Sequence, residues 1–183
     1  MGHRIRLALS TSYWPLAVPP PEPVRLTVFP EGSSLELPLR EPRESDAALA
    51  PFSEPEAAPP LERTLLRPTA HNWWVLRDLA RDESTLEVLE DDGTYRFEDT
   101  GLEYTKSAQE WYSSRDDDFA SLRGETRGVR AFKRGTWETR SETRTVLTCD
   151  RRNFYVHAEL DAYESGKRIY SKNWDCEIPR DYV

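Results

Sequence analysis

Few side chains of this 183-residue chain have types and spacing suited to catalysis. Among its three histidines, His157 alternates with Tyr155 and Glu159 along a predicted strand. A carboxylate two residues away lies on the same face of a strand, where it can orient an imidazole as a general base. Because any polar sheet face produces this spacing, the simpler interpretation is that His157 packs across the sheet against Trp174.

Two acidic runs contain oxygen ligands for a cation but fit turns better. Arg115–Asp118 places its aspartates side by side, whereas a calcium loop needs spaced oxygens and a downstream carboxylate. Glu90–Gly93 ends in the dipeptide Asp92-Gly93, which is typical of a hairpin turn. We therefore predict a solvated turn at 115–118 and a hairpin turn at 90–93.

Other common signatures of chemistry are missing from the sequence. It has no Gly-x-Ser-x-Gly nucleophile elbow, no Cys/His spacing of a metal site and no Gly-rich phosphate loop. Trp73 and Trp74 are neighbours in a strand and so face opposite sides, which favours packing over a shared stacking platform. We expect no catalytic, cofactor-binding or metal-binding residue, and no cofactor.

Composition restricts the partners and the compartment. The net charge is −8 and no basic patch stands out, which argues against nucleic acid and anionic membrane partners. No run approaches the roughly 18 apolar residues of a membrane span. The apolar stretch after Arg6 is too short for a signal peptide. We expect a cytoplasmic protein.

The elements that position these side chains are predicted to be strands. From Leu61 onward, alternating apolar and polar residues are separated by short polar turns. Helical periodicity is missing apart from one helical turn at 45–50. The pattern predicts an all-β fold, with a long-stranded antiparallel meander that forms a curved sheet or half-barrel. Its predicted strands are 62–67, 71–79, 84–90, 94–98, 102–114, 120–133, 136–149, 153–164 and 167–178.

Prolines dominate the earlier part of the chain. Twelve of the fourteen lie in the first 60 residues. Between them, alternating segments predict further strands at 2–9, 24–29 and 34–39. Residues 40–61 are charged and then Pro/Ala-rich, which is typical of a linker or an extended strap.

Turn residues set a register for the last four predicted strands. Arg134-Gly135 and Ser165-Gly166 fit two-residue hairpin turns, and Asp150–Asn153 turns the hairpin between them. Opposite charges directly across a ladder stabilise it by roughly 0.2–1 kcal/mol per pair. This register predicts a row of alternating charge across four strands, formed by Glu125, Arg144, Glu159 and Lys172.

The same register separates the two cysteines and assigns the other face of the sheet. Cys149 and Cys176 are placed two strands apart, about 9–10 Å, whereas a disulfide needs Cα atoms within about 7 Å. We predict two free thiols.

The face opposite the charged row suits packing. It carries Phe132, Trp137, Leu147, Phe154, Val156, Ala158, Leu160 and Ala162.

The opening residues resemble a known family. Gly2–Ser12 followed by Trp14-Pro15 is similar to a "GHR(I/L)R(L)" strand and its "S-x-S-x-(W/F)-P" exit. That strand lies in the C-terminal, non-catalytic jelly roll of the X-Pro dipeptidyl-peptidase and cocaine-esterase group of serine hydrolases. Leu26–Pro38 resembles closing strands of the same domain. Tyr95–Tyr104 and Trp174–Asp181 resemble a β extension found in a bacterial subset.

The resemblance implies a domain organisation and a role. Segment 1–39 would hold partial jelly-roll strands, 40–61 the linker or strap, and 62–183 the meander domain. Family members carry an α/β-hydrolase domain with a Ser-His-Asp triad ahead of the jelly roll, and no position here matches a triad residue. We expect a C-terminal accessory region that begins inside a sandwich and lacks the catalytic domain. Its partner would be that domain, in cis or in trans, or another copy through open strand edges.

Two other functions stay open at this point. The meander could be a free-standing half-barrel around a small ligand, lined by Trp111, Trp137, Tyr155, Tyr170 and Trp174. Alternatively, the acidic, Pro-rich residues 38–61 could be the docking strap of an adaptor.

Overall fold

A computed structural model describes residues 2–181 of the chain. Its strands are β1 Arg63–Arg67, β2 Ala70–Asp78, β3 Glu83–Phe97, β4 Glu103–Arg115, β5 Asp118–Arg134, β6 Trp137–Cys149, β7 Asn153–Glu164 and β8 Lys167–Pro179. They form one antiparallel sheet in the order β1-β3-β4-β5-β6-β7-β8, with β2 also paired to β3. The sheet is curved and unclosed, so the predicted all-β class is confirmed.

One predicted turn is wrong. The segments expected as strands 84–90 and 94–98 form the single strand β3, and Glu90–Gly93 lies inside it. The register shifts between Asp91 and Thr94, and Gly93 has φ +74°. A bulge requires the same positive φ as a hairpin turn, which is why the local sequence alone suggested the turn. The bulge lies where β3 changes edge partner from β2 to β1.

The β6–β7 register agrees with the sequence prediction and the β5–β6 register differs by two residues. Arg144 pairs with Glu159, as expected from the turn at Asp150. The preceding hairpin turns at Gly135-Thr136 instead of Arg134-Gly135, which places Glu125 opposite Val146. A shift of two residues keeps every side chain on its predicted face, because side chains alternate with period two.

A bulge in β8 changes the last pairing by one residue. Ser165-Gly166 turns the β7–β8 hairpin as predicted, but Ile169 has no partner and the register shifts there. His157 consequently faces Asp175 instead of Trp174. Lys172 moves to the opposite face of the sheet, so its predicted place in the charged row is wrong. The turn alone could not reveal the extra residue, because a bulge depends on packing beyond the hairpin end.

The strands predicted at 2–9, 24–29 and 34–39 are also wrong. These segments are irregular and exposed in the described chain. An alternating pattern becomes a strand only where a neighbouring strand takes up its N–H and C=O groups. The helical turn expected at 45–50 is confirmed as a 3₁₀ turn at Glu44–Ala48, and a second lies at Pro30–Gly32.

Contacts divide the chain into two units. Residues 26–61 form one, and residues 2–25 together with 62–181 form the other. Within the second unit, the segment from Trp14 to Pro19 packs on the sheet. The Trp14 indole meets Tyr112 edge to face, with ring centroids 5.9 Å apart, and lies over Gly124.

The buried apolar core is small and lies near this segment. Pro19 is fully buried, and Arg180 donates to its carbonyl oxygen at 2.7 Å. In the described part of the chain, the buried hydrophobic side chains are Val88, Leu122 and Cys149. Between residues 2 and 181 no helix has the length and apolarity to cross a membrane.

Candidate functional site

The two faces of the sheet differ sharply in chemistry. Cross-strand partners share a face, so the register assigns every side chain to one of them. We call one the polar face and define it by Trp111, Arg127, Arg144, Glu159 and Asp175. The other, the apolar face, is defined by Tyr112, Leu122, Leu147, Val156 and Trp174.

A continuous charged row crosses four strands of the polar face. Arg144 Nε donates to Glu125 Oε1 at 2.8 Å, and Arg144 Nη1 to Glu159 Oε1 at 3.2 Å. His157 Nε2 lies 2.8 Å from Glu159 Oε1, and His157 Nδ1 lies 2.6 Å from Asp175 Oδ1. The row therefore connects β5 to β8 through side chains as well as through the backbone ladder.

Glu125 is the most enclosed charge in the row. Its residue is 6% exposed and its carboxylate bonds three guanidinium groups. Arg144 and Arg127 donate to Oε1 at 2.8 Å each, and Arg123 donates to Oε2. The bond from Arg144, with those from Arg123 and Arg127, lowers the pKa of Glu125 from 4.5 to about 2. Hydrogen bonds to the charged form have this effect, and here they outweigh burial.

His157 is held between two carboxylates. The bonds to Asp175 and Glu159 raise the pKa of the imidazole above its ordinary 6.5, because both partners favour the charged form. A contact with Glu159 was the less favoured of the two sequence interpretations, and the preferred packing against Trp174 is wrong. Both ring nitrogens of His157 are occupied. A general base needs one nitrogen within reach of the proton that it removes. This geometry suits a structural link between β7 and β8 better than catalysis.

A shallow depression lies next to His157, and its lining includes Cys176. The depression has a volume of ≈ 370 Å³ and is lined by residues that include Thr148, Tyr155 and Asp175. The Tyr155 hydroxyl donates to Asp150 Oδ2 at 2.8 Å, away from the imidazole. The thiol of Cys176 belongs to the apolar face, because Cys176 pairs with Val156. With both ring nitrogens held by carboxylates, His157 is not placed as the base of a nucleophile–base–acid triad.

The acidic runs take part in turns and ion pairs. Residues 115–118 include a turn at 116–117 and are exposed, as predicted. Asp91, from the other run, receives two hydrogen bonds from the Arg67 guanidinium at 2.6 and 2.7 Å. Across residues 2–181, no group of three or more His, Cys, Asp or Glu side chains is arranged to hold a metal ion.

The aromatic residues expected to line one ligand cavity are divided between the faces. Trp111 and Tyr155 lie on the polar face. Trp137, Tyr170 and Trp174 lie on the apolar face. A single cavity on either side of the sheet cannot contain all five, so this predicted lining is wrong. Trp73 and Trp74 also face opposite sides, as predicted, and both lie on the edge strand β2.

The cysteines are free, as predicted. Cys149 is buried and its thiol donates to the Phe119 carbonyl oxygen at 3.4 Å. Burial raises the pKa of the Cys149 thiol. Cys176 is exposed.

The apolar face carries the predicted residues but leaves large side chains in solvent. The eight residues predicted for this face do lie on it, because the two-residue shift in the β5–β6 register leaves every side chain on its predicted face. They are Phe132, Trp137, Leu147, Phe154, Val156, Ala158, Leu160 and Ala162. Exposed fractions reach 44% for Trp137, 49% for Tyr170 and 48% for Ile178. A sheet face of this composition is normally covered by a second layer.

Sequence reasoning missed two features of the site. The clamp of Arg123 and Arg127 around Glu125 was visible as an Arg-x-Glu-x-Arg alternation, since such residues share one strand face. The contact of Arg180 with Pro19 had no local signal, because the two residues are 161 positions apart. Comparison with known proteins gave no matching family model, no matching curated protein and no matching solved structure.

Proposed function

We propose that this chain is a non-catalytic accessory module that works by docking its apolar sheet face onto a second protein body. The exposed apolar face is the observation that carries the proposal. Trp137, Tyr170, Trp174 and Ile178 present large side chains on this face, each at least 38% exposed. Large exposed patches of this kind mark interaction surfaces.

The small buried core supports the same proposal. In the described part of the chain, the buried hydrophobic side chains are Val88, Leu122 and Cys149. A single sheet layer with so few buried side chains is normally covered by a second layer.

The partner that we propose is the catalytic body of an X-Pro dipeptidyl-peptidase or acyl-esterase type serine hydrolase, joined in cis or in trans. The support is the resemblance of the first 38 residues to that family's C-terminal jelly roll. Two observations agree with a non-catalytic role: His157 has both nitrogens engaged, and Cys176 lies on the other face. The module would cover the hydrolase core and shape access to its active site, in the cytoplasm.

Two measurements test this function. The DNA upstream of the first codon should encode an α/β-hydrolase domain with Gly-x-Ser-x-Gly, in frame or after a frameshift. The purified chain should show no turnover of acyl esters or X-Pro peptides. Unrelated upstream sequence would remove the hydrolase partner. Turnover that a serine-directed inhibitor blocks would overturn the non-catalytic role.

A further inference from the structure

The two edges of the sheet differ in how well they resist strand pairing. β8 forms one edge and carries Lys167, Arg168 and Lys172, a bulge at Ile169, and Pro179 at its end. Charges, bulges and proline are the features that keep an edge from pairing with another chain.

β2, at the opposite edge, lacks most of this protection. Its nine residues are all exposed and are bonded on one side to β3. Trp73 is 70% exposed and Val75 is 80% exposed. The strand contains no lysine, proline or bulge, and Trp73, Trp74, Val75 and Leu76 follow one another at its centre. A long apolar edge of this kind is a template for another strand.

One hydrogen bond shows which backbone groups of β2 point outward. The Trp73 N–H donates to Asn72 Oδ1 at 2.8 Å, a bond to its own neighbour in place of one to β3. Because N–H groups alternate sides along an antiparallel strand, those of Val75 and Arg77 also lie on the open side. The N–H groups of Val75 and Arg77 can therefore form a short ladder, and the Trp73 N–H would join it by leaving Asn72 Oδ1.

We propose that β2 pairs antiparallel with β2 of a second copy of this chain, around a two-fold axis at Val75. In this register Val75 faces Val75 of the other copy, and Leu76 faces Trp74. Trp73 faces Arg77, whose guanidinium also bonds Asp82 and Ser84 of its own chain. Asn72 faces Asp78, an amide beside a carboxylate. Every pair is complementary, and the interface is isologous, as two-fold symmetry requires.

The neighbouring register is less complementary. With the axis at Trp74, Arg77 would face His71 and Leu76 would face Asn72, which opposes two basic groups and pairs an apolar side chain with an amide. The contribution of one cross-strand pair to stability varies by up to about 1 kcal/mol. The repeated mismatches of the Trp74 register therefore make it less stable than the register at Val75. The interface uses an edge of the sheet and leaves the apolar face available for the proposed hydrolase partner. Its failure would not affect that proposal.

Disulfide trapping tests the register directly. In a Cys176→Ala background, Val75→Cys should form a covalent dimer under mild oxidation, because the Cα atoms at the axis would be about 5.5 Å apart. The matched variant Trp74→Cys should stay monomeric on reducing-agent-free gels, since its Cα atoms would be about 8 Å apart. Equal or faster trapping of Trp74→Cys would overturn the register, and no trapping of either would overturn the dimer.

Sedimentation of the full chain gives an independent measurement. The unmodified chain should sediment as a concentration-dependent dimer. Val75→Lys places two like charges at the axis and should raise the dissociation constant at least tenfold, with an unchanged circular dichroism spectrum. Ile169→Lys, the matched change on the β8 edge, should leave it unchanged. A monomeric chain, or equal effects of the two lysines, would overturn the proposal.

Discussion

Neutralising Glu125 should destabilise the sheet strongly at neutral pH. The substitution Glu125→Gln keeps the size of the side chain but removes the charge that binds three guanidinium groups. Arg123, Arg127 and Arg144 would then stand close together without their shared partner. Removing one member of an enclosed ion cluster is costly because the remaining charges lose compensation.

The pKa of Glu125 sets the size of this effect. A carboxyl whose pKa falls from 4.5 to about 2 on folding contributes about 3 kcal/mol at neutral pH. Because the folded pKa is the lower one, this contribution is complete above pH 4.5 and is lost as the pH falls towards 2. We expect Glu125→Gln to lower the free energy of unfolding by about 2–3 kcal/mol at pH 7, and by much less at pH 2.

Urea unfolding followed by tryptophan fluorescence measures this loss across the pH range. The matched control is Glu142→Gln, an exposed carboxylate on the same face whose partner Arg140 lies at 3.2 Å. Exposed pairs contribute about 0–1 kcal/mol, so the control should change stability little. Equal losses for both variants, or a Glu125→Gln loss that does not shrink between pH 4.5 and 2, would refute the role of the cluster.

Three further predictions concern the link at β8, the bulge of β3 and the thiols. The pKa of His157 is raised on folding, so the stability that its charged form contributes is complete below pH 6.5 and is lost as the pH rises through the folded pKa. Amide hydrogen exchange of β8 should therefore accelerate over that rise in pH. His157→Gln should abolish this pH-dependent acceleration, whereas His71→Gln should not. Gly93→Ala should lower the stability of the fold by about 1–3 kcal/mol in thermal melts, because Gly93 has φ +74° and an added Cβ would lie 2.2 Å from the Arg67 carbonyl oxygen. Gly124→Ala, whose added Cβ would make ordinary contacts at 3.6 Å, should melt like the unmodified chain. Equal losses of stability for the two variants would contradict the strain at Gly93. A thiol reagent should label Cys176 rapidly and Cys149 only on unfolding, and rapid labelling of both would contradict the burial of Cys149.

Apart from β3, which was predicted as two strands, the strands from β1 to β8 could be predicted because alternation and turn residues are local signals. Arg144 opposite Glu159 followed from the turn at Asp150, which needs no information from elsewhere in the chain. The bulge at Ile169 could not be predicted, because the hairpin turn beside it is regular and the extra residue is accommodated further along the strand. That single residue decides whether His157 meets Trp174 or Asp175, and with it the composition of the charged row.

In the described N-terminal part of the chain, local alternation predicted strands that the structure does not contain. Alternation at 2–9 and 24–29 predicted strands, yet a strand also needs a partner edge, which composition does not supply. The docking of Trp14 over Gly124 joins the N-terminal segment to a strand that is distant in sequence. Such contacts join segments about 100 residues apart and leave no periodic signal.

Binding between the full chain and a serine hydrolase domain of the proposed type tests the central claim most directly. Calorimetric titration should give a dissociation constant of about 1 μM or tighter, as expected for an interface of standard size. Trp174→Glu, on the apolar face, should weaken binding at least tenfold, whereas Asn173→Glu, its neighbour on the polar face, should not. Absence of binding by the folded chain, or equal losses from the two variants, would contradict the proposed docking of the apolar face.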